Sequence, residues 1–109
     1  MEIESLRCAL LTGTAVEYTA HCQKRMLERD ISRADIRNCI LQGEIIEDYP
    51  LDTNNASEKS FPSCLMMGNK ISDKKVIHIV VGFNGNKILL ISACYPDREH
   101  WHDDYKTRR

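Results

Sequence analysis

The chain has 109 residues, of which 42% are hydrophobic and 28% are charged, with a formal net charge of −1. This composition is typical of a soluble globular protein, and the length predicts one domain over residues 1–109. A net charge near zero excludes a protein that coats nucleic acid through charge alone. The apolar runs are too short to span a bilayer, and the acidic start lacks the basic region of a signal peptide. We therefore expect a cytoplasmic protein with no membrane partner.

The five cysteines show no C-x-x-C spacing and are odd in number. Most of them occur in apolar patterns, where a free thiol behaves as a small hydrophobic group. A zinc site that uses His100 and His102 is a weaker alternative, because no paired ligands stand nearby in the sequence. We therefore expect no metal and no cofactor. The cysteines are Cys8, Cys22, Cys39, Cys64 and Cys94.

Three helices are predicted in the first half of the chain, over residues 2–11, over residues 18–31 and from Ser32 to Gln42. Their start and stop signals are Gly13 after the first, Thr19 as the N-cap of the second, Ser32 with Asp35 at the start of the third, and Gly43 at its end. Their apolar stripes are Ile3, Leu6 and Leu10, then Tyr18, Cys22, Met26 and Ile31, then Ile36, Ile40 and Leu41.

After Gly43 the apolar period changes to two residues, which predicts strands over 44–49, 63–67, 75–83 and 87–95. Asn84-Gly85 predicts a tight turn that makes the last two strands antiparallel. The polar stretch 51–60 is predicted to be a mobile loop, and Trp101 and Tyr105 are expected to pack back on the sheet. The sequence thus predicts an α+β fold, with two to three N-terminal helices on one face of an antiparallel sheet of about four strands.

The second helix carries a basic stripe. His21, Arg25 and Arg29 recur every fourth position, so an imidazole and two guanidiniums should project in one direction. Such a stripe can hold a phosphate and move a proton. Basic residues at helical spacing are also typical of a solvated face, and this alternative stays open.

The predicted strands add further polar candidates. His78 lies in the most apolar strand, where it is either a hydrogen-bonded core histidine or a second group for proton transfer. Tyr49 and Tyr95 end their strands, each before a proline, and their hydroxyls can reach an open face. Metal-free RNA cleavage needs a base, an acid and cations around the phosphorus, and these residue types supply all three roles. Further candidates for substrate binding are Lys24 on the second helix, Tyr49, and Arg108 in the basic C-terminal end.

Several motifs resemble the family called domain of unknown function 4258. They are Tyr-Thr-x-His-x-x-x-Arg-Met-x-Glu-Arg-x-Ile-Ser at 18–32, Asp35-Ile36, Gly-Glu-Ile-Ile-Glu-Asp-Tyr-Pro at 43–50, Pro62-Ser-Cys-Leu with Gly68, His78-Ile-Val-Val, Tyr95-Pro96 and Trp101. The family in turn resembles RelE/BrnT-like toxins of the barnase, EndoU, colicin and RelE ribonuclease fold.

The resemblance implies a metal-independent endoribonuclease of a toxin–antitoxin pair, with RNA as substrate and a small zinc-finger antitoxin of the YgiT type as partner. The matched polar positions are His21, Arg25, Glu28, Arg29, His78 and Tyr95. We expect Glu28 to orient a neighbouring arginine by an ion pair. The long polar stretch 51–60 and the slightly negative net charge depart from the pattern of strongly basic, ribosome-dependent toxins.

These observations lead to two hypotheses. In the first, the protein cleaves single-stranded RNA through a 2′,3′-cyclic phosphate, with His21 as base or acid, Arg25 and Arg29 on the phosphate, and His78 or Tyr95 as the second proton-transfer group. In the second, the protein is a non-catalytic interaction domain of the same fold, whose basic helix binds an acidic protein surface.

Overall fold

The computed structural model describes residues 1–49 and 61–109, so the predicted loop at 51–60 lies outside the described residues. Helices and strands follow one another in the order α1 Ile3–Leu11, β1 Ala15–Tyr18, α2 Ala20–Arg29, α3 Arg33–Gln42, β2 Glu44–Tyr49, β3 Ser63–Asn69, β4 Val76–Phe83 and β5 Lys87–Cys94. The expected α+β class is confirmed. None of the helices in these residues is long and apolar enough to cross a membrane.

Local side-chain chemistry sets the helix boundaries. The Thr19 hydroxyl accepts a hydrogen bond from the Cys22 N–H at 3.0 Å, which confirms Thr19 as the N-cap of α2. Ser32 and Asp35 form a reciprocal capping box at the start of α3, and Gly43 is its C-cap. Asp30 is the C-cap of α2, and its backbone is left-handed with φ of 53°. Each boundary falls within two residues of its expected position.

Within the described residues the sheet has five strands in the order β1-β5-β4-β3-β2. Strand β1 pairs with β5 in parallel, and the other pairs are antiparallel. The expectation of an antiparallel sheet of about four strands is therefore corrected by one short parallel edge strand. The sequence predicts Tyr18 at the start of the second helix, but Tyr18 ends this strand instead. Four residues are too few to show an alternating pattern, and the apolar spacing of Tyr18 with Cys22 and Met26 resembled a helical stripe.

The three helices cover one face of the sheet. Residues from the helices and from alternate positions of β3, β4 and β5 form the core, and they include Leu6, Cys22, Met26, Ile36, Ile40, Met66, Ile77, Ile79 and Leu90. The segment after β5 returns over the opposite face, where Trp101 is buried. We call this opposite face the second face. The expected return of Trp101 to the sheet is confirmed.

Candidate functional site

Three polar side chains meet on the second face. The Arg108 guanidinium donates two hydrogen bonds to the Glu47 carboxylate, from Nε at 2.6 Å and from Nη2 at 2.9 Å. The Tyr49 hydroxyl donates to the same carboxylate at 2.6 Å. Glu47 and Tyr49 share a face because strand residues two apart point the same way. We call Glu47, Tyr49 and Arg108 the Glu47 cluster.

The cluster holds one ionised acid and one protonated phenol at neutral pH. The hydrogen bonds from Arg108 are the main cause that lowers the pKa of Glu47 below its usual value. Burial, followed by the hydrogen bond to Glu47, raises the pKa of Tyr49. The Arg108 side chain remains 56% exposed, so its guanidinium can also reach a ligand from solvent. The cluster therefore combines a carboxylate, a proton donor and an accessible cation.

His78 lies beside this cluster but is enclosed. Its neighbours Ile77 and Ile79 belong to the core, so strand alternation points His78 to the second face. Its Nε2 donates to the Tyr105 carbonyl oxygen at 2.8 Å, because a carbonyl can only accept. The Trp101 ring lies edge-on to it, with the centroids 4.7 Å apart. Only 2% of His78 is exposed, and burial lowers its pKa, so the imidazole is neutral at pH 7.

Trp101 links His78 to the Glu47 cluster. The Arg108 guanidinium carbon lies 4.5 Å from the centroid of the Trp101 ring, within the range of a cation–π contact. The Trp101 indole therefore contacts the Arg108 guanidinium, and the His78 imidazole contacts the indole. These contacts hold Arg108 in the orientation in which it donates two hydrogen bonds to Glu47.

The basic stripe of α2 does not act as one unit. His21 is exposed, and Arg25 donates from Nη1 to Glu28 at 2.9 Å, which is the ion pair expected for Glu28. Lys24 approaches the same carboxylate at 3.9 Å. Arg29 instead donates from Nη1 to the Ala93 carbonyl oxygen in β5 at 3.0 Å. Two cations of the helix are thus shared with one acid, and the third is tied to the backbone.

Tyr95 also binds the backbone. Its hydroxyl donates to the Arg29 carbonyl oxygen at 2.6 Å and accepts from the Lys70 ammonium at 3.1 Å. The first contact satisfies a carbonyl in the last turn of α2, which has no partner within the helix. This position fits a residue that fixes the end of α2 against β5.

The structure thus brings Tyr49, His78 and Arg108 to one place and leaves His21, Lys24 and Arg25 on the outer side of α2. No hydrogen bond within residues 1–49 and 61–109 joins His21 to His78. Sequence reasoning missed Glu47, although its position two residues before Tyr49 in a predicted strand was a usable signal. Nor do these residues contain any group of three or more histidines, cysteines or acids placed to hold a metal, and His100 contacts Asp97 at 2.8 Å.

The sequence model of one protein family, Domain of unknown function (DUF4258), matches residues 18–95. The chain belongs to this family. The match runs from the end of β1 to the residue after β5, so it includes Glu47, Tyr49 and His78 and leaves out Trp101 and Arg108. No curated protein and no solved structure gives a significant match to the chain.

Proposed function

We propose that this member of the family is a metal-independent endoribonuclease that cleaves single-stranded RNA and acts as the toxin of a toxin–antitoxin pair, similar to RelE/BrnT-like toxins. The observation that carries the proposal is the Glu47 cluster, in which one carboxylate holds both a guanidinium and a phenol. A base, a proton donor and a phosphate-binding cation are the groups that cleavage by transphosphorylation requires.

Each group of the cluster has a role in this reaction. The Glu47 carboxylate takes the proton of the RNA 2′-hydroxyl, whose oxygen then attacks the adjacent phosphorus. The bond from phosphorus to the 5′-oxygen breaks, and the Tyr49 hydroxyl gives its proton to that leaving oxygen. Arg108 stabilises the charge on the non-bridging oxygens. The products are a 2′,3′-cyclic phosphate and a free 5′-hydroxyl.

The hydrogen bond between Tyr49 and Glu47 closes the cycle. After cleavage Glu47 carries a proton and Tyr49 has lost one, and the two oxygens are 2.6 Å apart in the resting protein. Transfer of that proton back to the phenolate restores both groups. A bound phosphate also draws Arg108 away from Glu47, which raises the pKa of the carboxylate and makes it a better base.

The test is cleavage of a single-stranded RNA by purified variants, with the 2′,3′-cyclic phosphate as readout. Glu47→Gln and Tyr49→Phe should each lower the rate by at least about 100-fold, the usual weight of a general base or acid. The matched control is Glu44→Gln. Glu44 lies on the same strand as Glu47, and it forms an ion pair at 2.7 Å with Lys106, which lies in the same C-terminal segment as Arg108. Wild-type cleavage in Glu47→Gln would refute this assignment of the base.

The basic stripe of α2 is a second place for the same chemistry, because His21 is exposed and lies one turn from Arg25. The double variant His21→Ala with Arg25→Ala separates the two places. If this variant alone loses cleavage, the reaction takes place at α2, and if Glu47→Gln alone loses it, at the Glu47 cluster. Growth and total RNA after induction in a tightly repressed host give the same comparison in cells.

The second candidate is the non-catalytic interaction domain. One observation favours it: Leu27 on α2 is 87% exposed beside a cavity of about 290 Å³ lined also by Met26 and Ile31. A partner that fills this cavity would also cover the exposed Leu27 side chain. Under this proposal Leu27→Asp abolishes co-purification with a zinc-finger antitoxin of the YgiT type, whereas Glu47→Gln does not change that binding. The wild-type protein cleaves no RNA.

A further inference from the structure

A separate cavity of about 270 Å³ opens at the far end of β4 and β5, and the proposed reaction does not use it. It is lined by Lys75, Val76, Tyr95, Pro96 and Tyr105. Two phenol rings, a proline ring and an ammonium group therefore surround one space. The volume lies just below the usual range for drug-sized ligands, so the cavity suits a group as small as a single base.

The Tyr95 wall is rigid and lies close to positive charge. The Tyr95 hydroxyl is held by the Arg29 carbonyl oxygen and by the Lys70 ammonium, which belongs to a buried lysine. The Lys75 ammonium lies 5.2 Å from the centroid of the Tyr95 ring and is exposed. The ring is thus fixed in place, with the Lys75 ammonium over it.

The Tyr105 wall is held in an uncommon conformation. Its φ of 56° is left-handed, which is an outlier for a bulky side chain. His78 binds the Tyr105 carbonyl oxygen at 2.8 Å, and the Tyr105 N–H donates to the His102 carbonyl oxygen at 2.9 Å. Strained residues of this kind persist where the surroundings hold them, and they concentrate at ligand sites. Tyr105 lines the same cavity as Tyr95 in this conformation.

We propose that this cavity is a base-binding subsite, in which Tyr95 and Tyr105 stack on an unpaired nucleobase of single-stranded RNA while Lys75 meets the neighbouring phosphate. The inference rests on the proposed ribonuclease function and adds where the substrate is held. Stacking on aromatic rings accepts any base, because every base has a π face. The subsite therefore gives affinity for single strands with little sequence preference.

The subsite is displaced from the Glu47 cluster along the sheet. Glu47 is in register with Leu65 and Val80, whereas the cavity begins at Val76, two strands away and four residues further along. With ordinary strand spacing this separation is about 16 Å. The bound base therefore belongs to a nucleotide a few positions from the cleaved phosphate, and one strand can occupy both places.

The experiment measures binding apart from cleavage. The probe is a labelled eight-nucleotide RNA with 2′-O-methyl groups, which cannot be cleaved because the attacking hydroxyl is blocked, and the matched ligand is the same strand without bases. Tyr105→Leu should weaken binding of the complete probe by about 5- to 100-fold, the usual loss of one stacking platform. Tyr105→Phe should retain binding, and Tyr105→Leu should bind the baseless strand as the wild type does.

Lys75→Glu is the second variant, since an exposed lysine can be replaced without loss of the fold, and it should weaken binding of both ligands. His102→Ala, an exposed change in the same C-terminal segment, is the control and should bind both ligands normally. Equal binding of the complete probe by the wild type and Tyr105→Leu, or none by the wild type, overturns the subsite. Cleavage of ordinary RNA tests the proposed function independently. If the protein binds the probe through Tyr105 but does not cleave RNA, the subsite stands and the proposed activity is wrong.

Discussion

Arg29 in α2 donates to the carbonyl oxygen of Ala93 over 3.0 Å, at a point where β1 no longer pairs with β5. Strand β1 pairs with β5 only from Lys87 to Leu90. Beyond that point α2 continues along the open edge, and Thr19 donates from its hydroxyl to the Ile91 carbonyl oxygen at 3.1 Å. Helix side chains thus replace backbone donors at a sheet edge, and Arg29 belongs to the fold.

Replacing Arg29 should therefore cost stability, whereas replacing Arg25 should not. Arg29→Ala leaves a partly buried carbonyl without its charged donor, so we expect a loss of about 1–3 kcal/mol in the free energy of unfolding. Arg25→Ala removes an exposed ion pair with Glu28, usually worth less than about 1 kcal/mol. Urea unfolding of both variants measures the difference. Equal stability of the two would show that the bond to Ala93 contributes nothing.

Most of the fold could be predicted because its signals are local. Thr19, the Ser32–Asp35 pair and Gly43 mark helix ends through hydrogen bonds made within a few residues. The parallel pairing of β1 with β5 could not be predicted, because the two strands lie about 70 residues apart in sequence and the four residues of β1 carry no period of their own. Tertiary pairing alone makes it a strand.

The site was harder to predict for the same reason. Spacing on one helix predicted that His21, Arg25 and Arg29 share a side, but it could not show that Arg29 would meet a carbonyl of β5. The partners in the Glu47 cluster are 61 residues apart in sequence. The sequence makes Tyr49 and Arg108 candidates for substrate binding, yet the carboxylate that joins them becomes visible only when the C-terminal segment is placed on the sheet.

The buried imidazole of His78 should make stability depend on pH. Burial lowers its pKa in the folded protein, whereas the unfolded imidazole binds a proton near pH 6.5. Between these two pKa values the unfolded state holds more protons, so the free energy of unfolding falls as pH decreases below about 6.5 and levels off below the folded pKa. Urea midpoints between about pH 8 and pH 5 measure this slope.

His78→Gln should be less stable than the wild type at pH 8 and should lose most of that slope. The matched control, His21→Gln, replaces an exposed imidazole and should retain both the midpoint and the slope. A wild-type slope in His78→Gln would assign the pH dependence to other groups.

The five thiols should differ sharply in reactivity. Burial raises the pKa of Cys39 to about 12 and that of Cys64 to about 11, and Cys22 is also fully enclosed. Cys8 is exposed on α1. A thiol reagent at neutral pH should therefore modify Cys8 rapidly and the buried thiols only at the rate of unfolding. Cys8→Ser should remove the fast phase, and rapid modification of Cys39 in the native protein would contradict the close packing of α3.

Helix α3 packs so closely on β3 that Gly68 has no room for a side chain. A Cβ atom at Gly68 would lie 2.7 Å from the Cys39 sulfur and 2.9 Å from the Cys39 Cα. Gly68→Ala must push α3 away from β3 and open the core around Ile36 and Ile40, so we expect a loss of about 1–3 kcal/mol or more. Thermal or urea unfolding measures it.

A double variant tests the cause of that loss. Cys39→Ala removes the sulfur but leaves the Cα and Cβ atoms, which lie 2.9 and 3.0 Å from the added methyl position. Gly68→Ala with Cys39→Ala should therefore recover only part of the stability, and the coupling between the two changes should be favourable. Strictly additive losses would mean that the two positions do not touch, and that α3 lies further from the sheet than the contact between Gly68 and Cys39 requires.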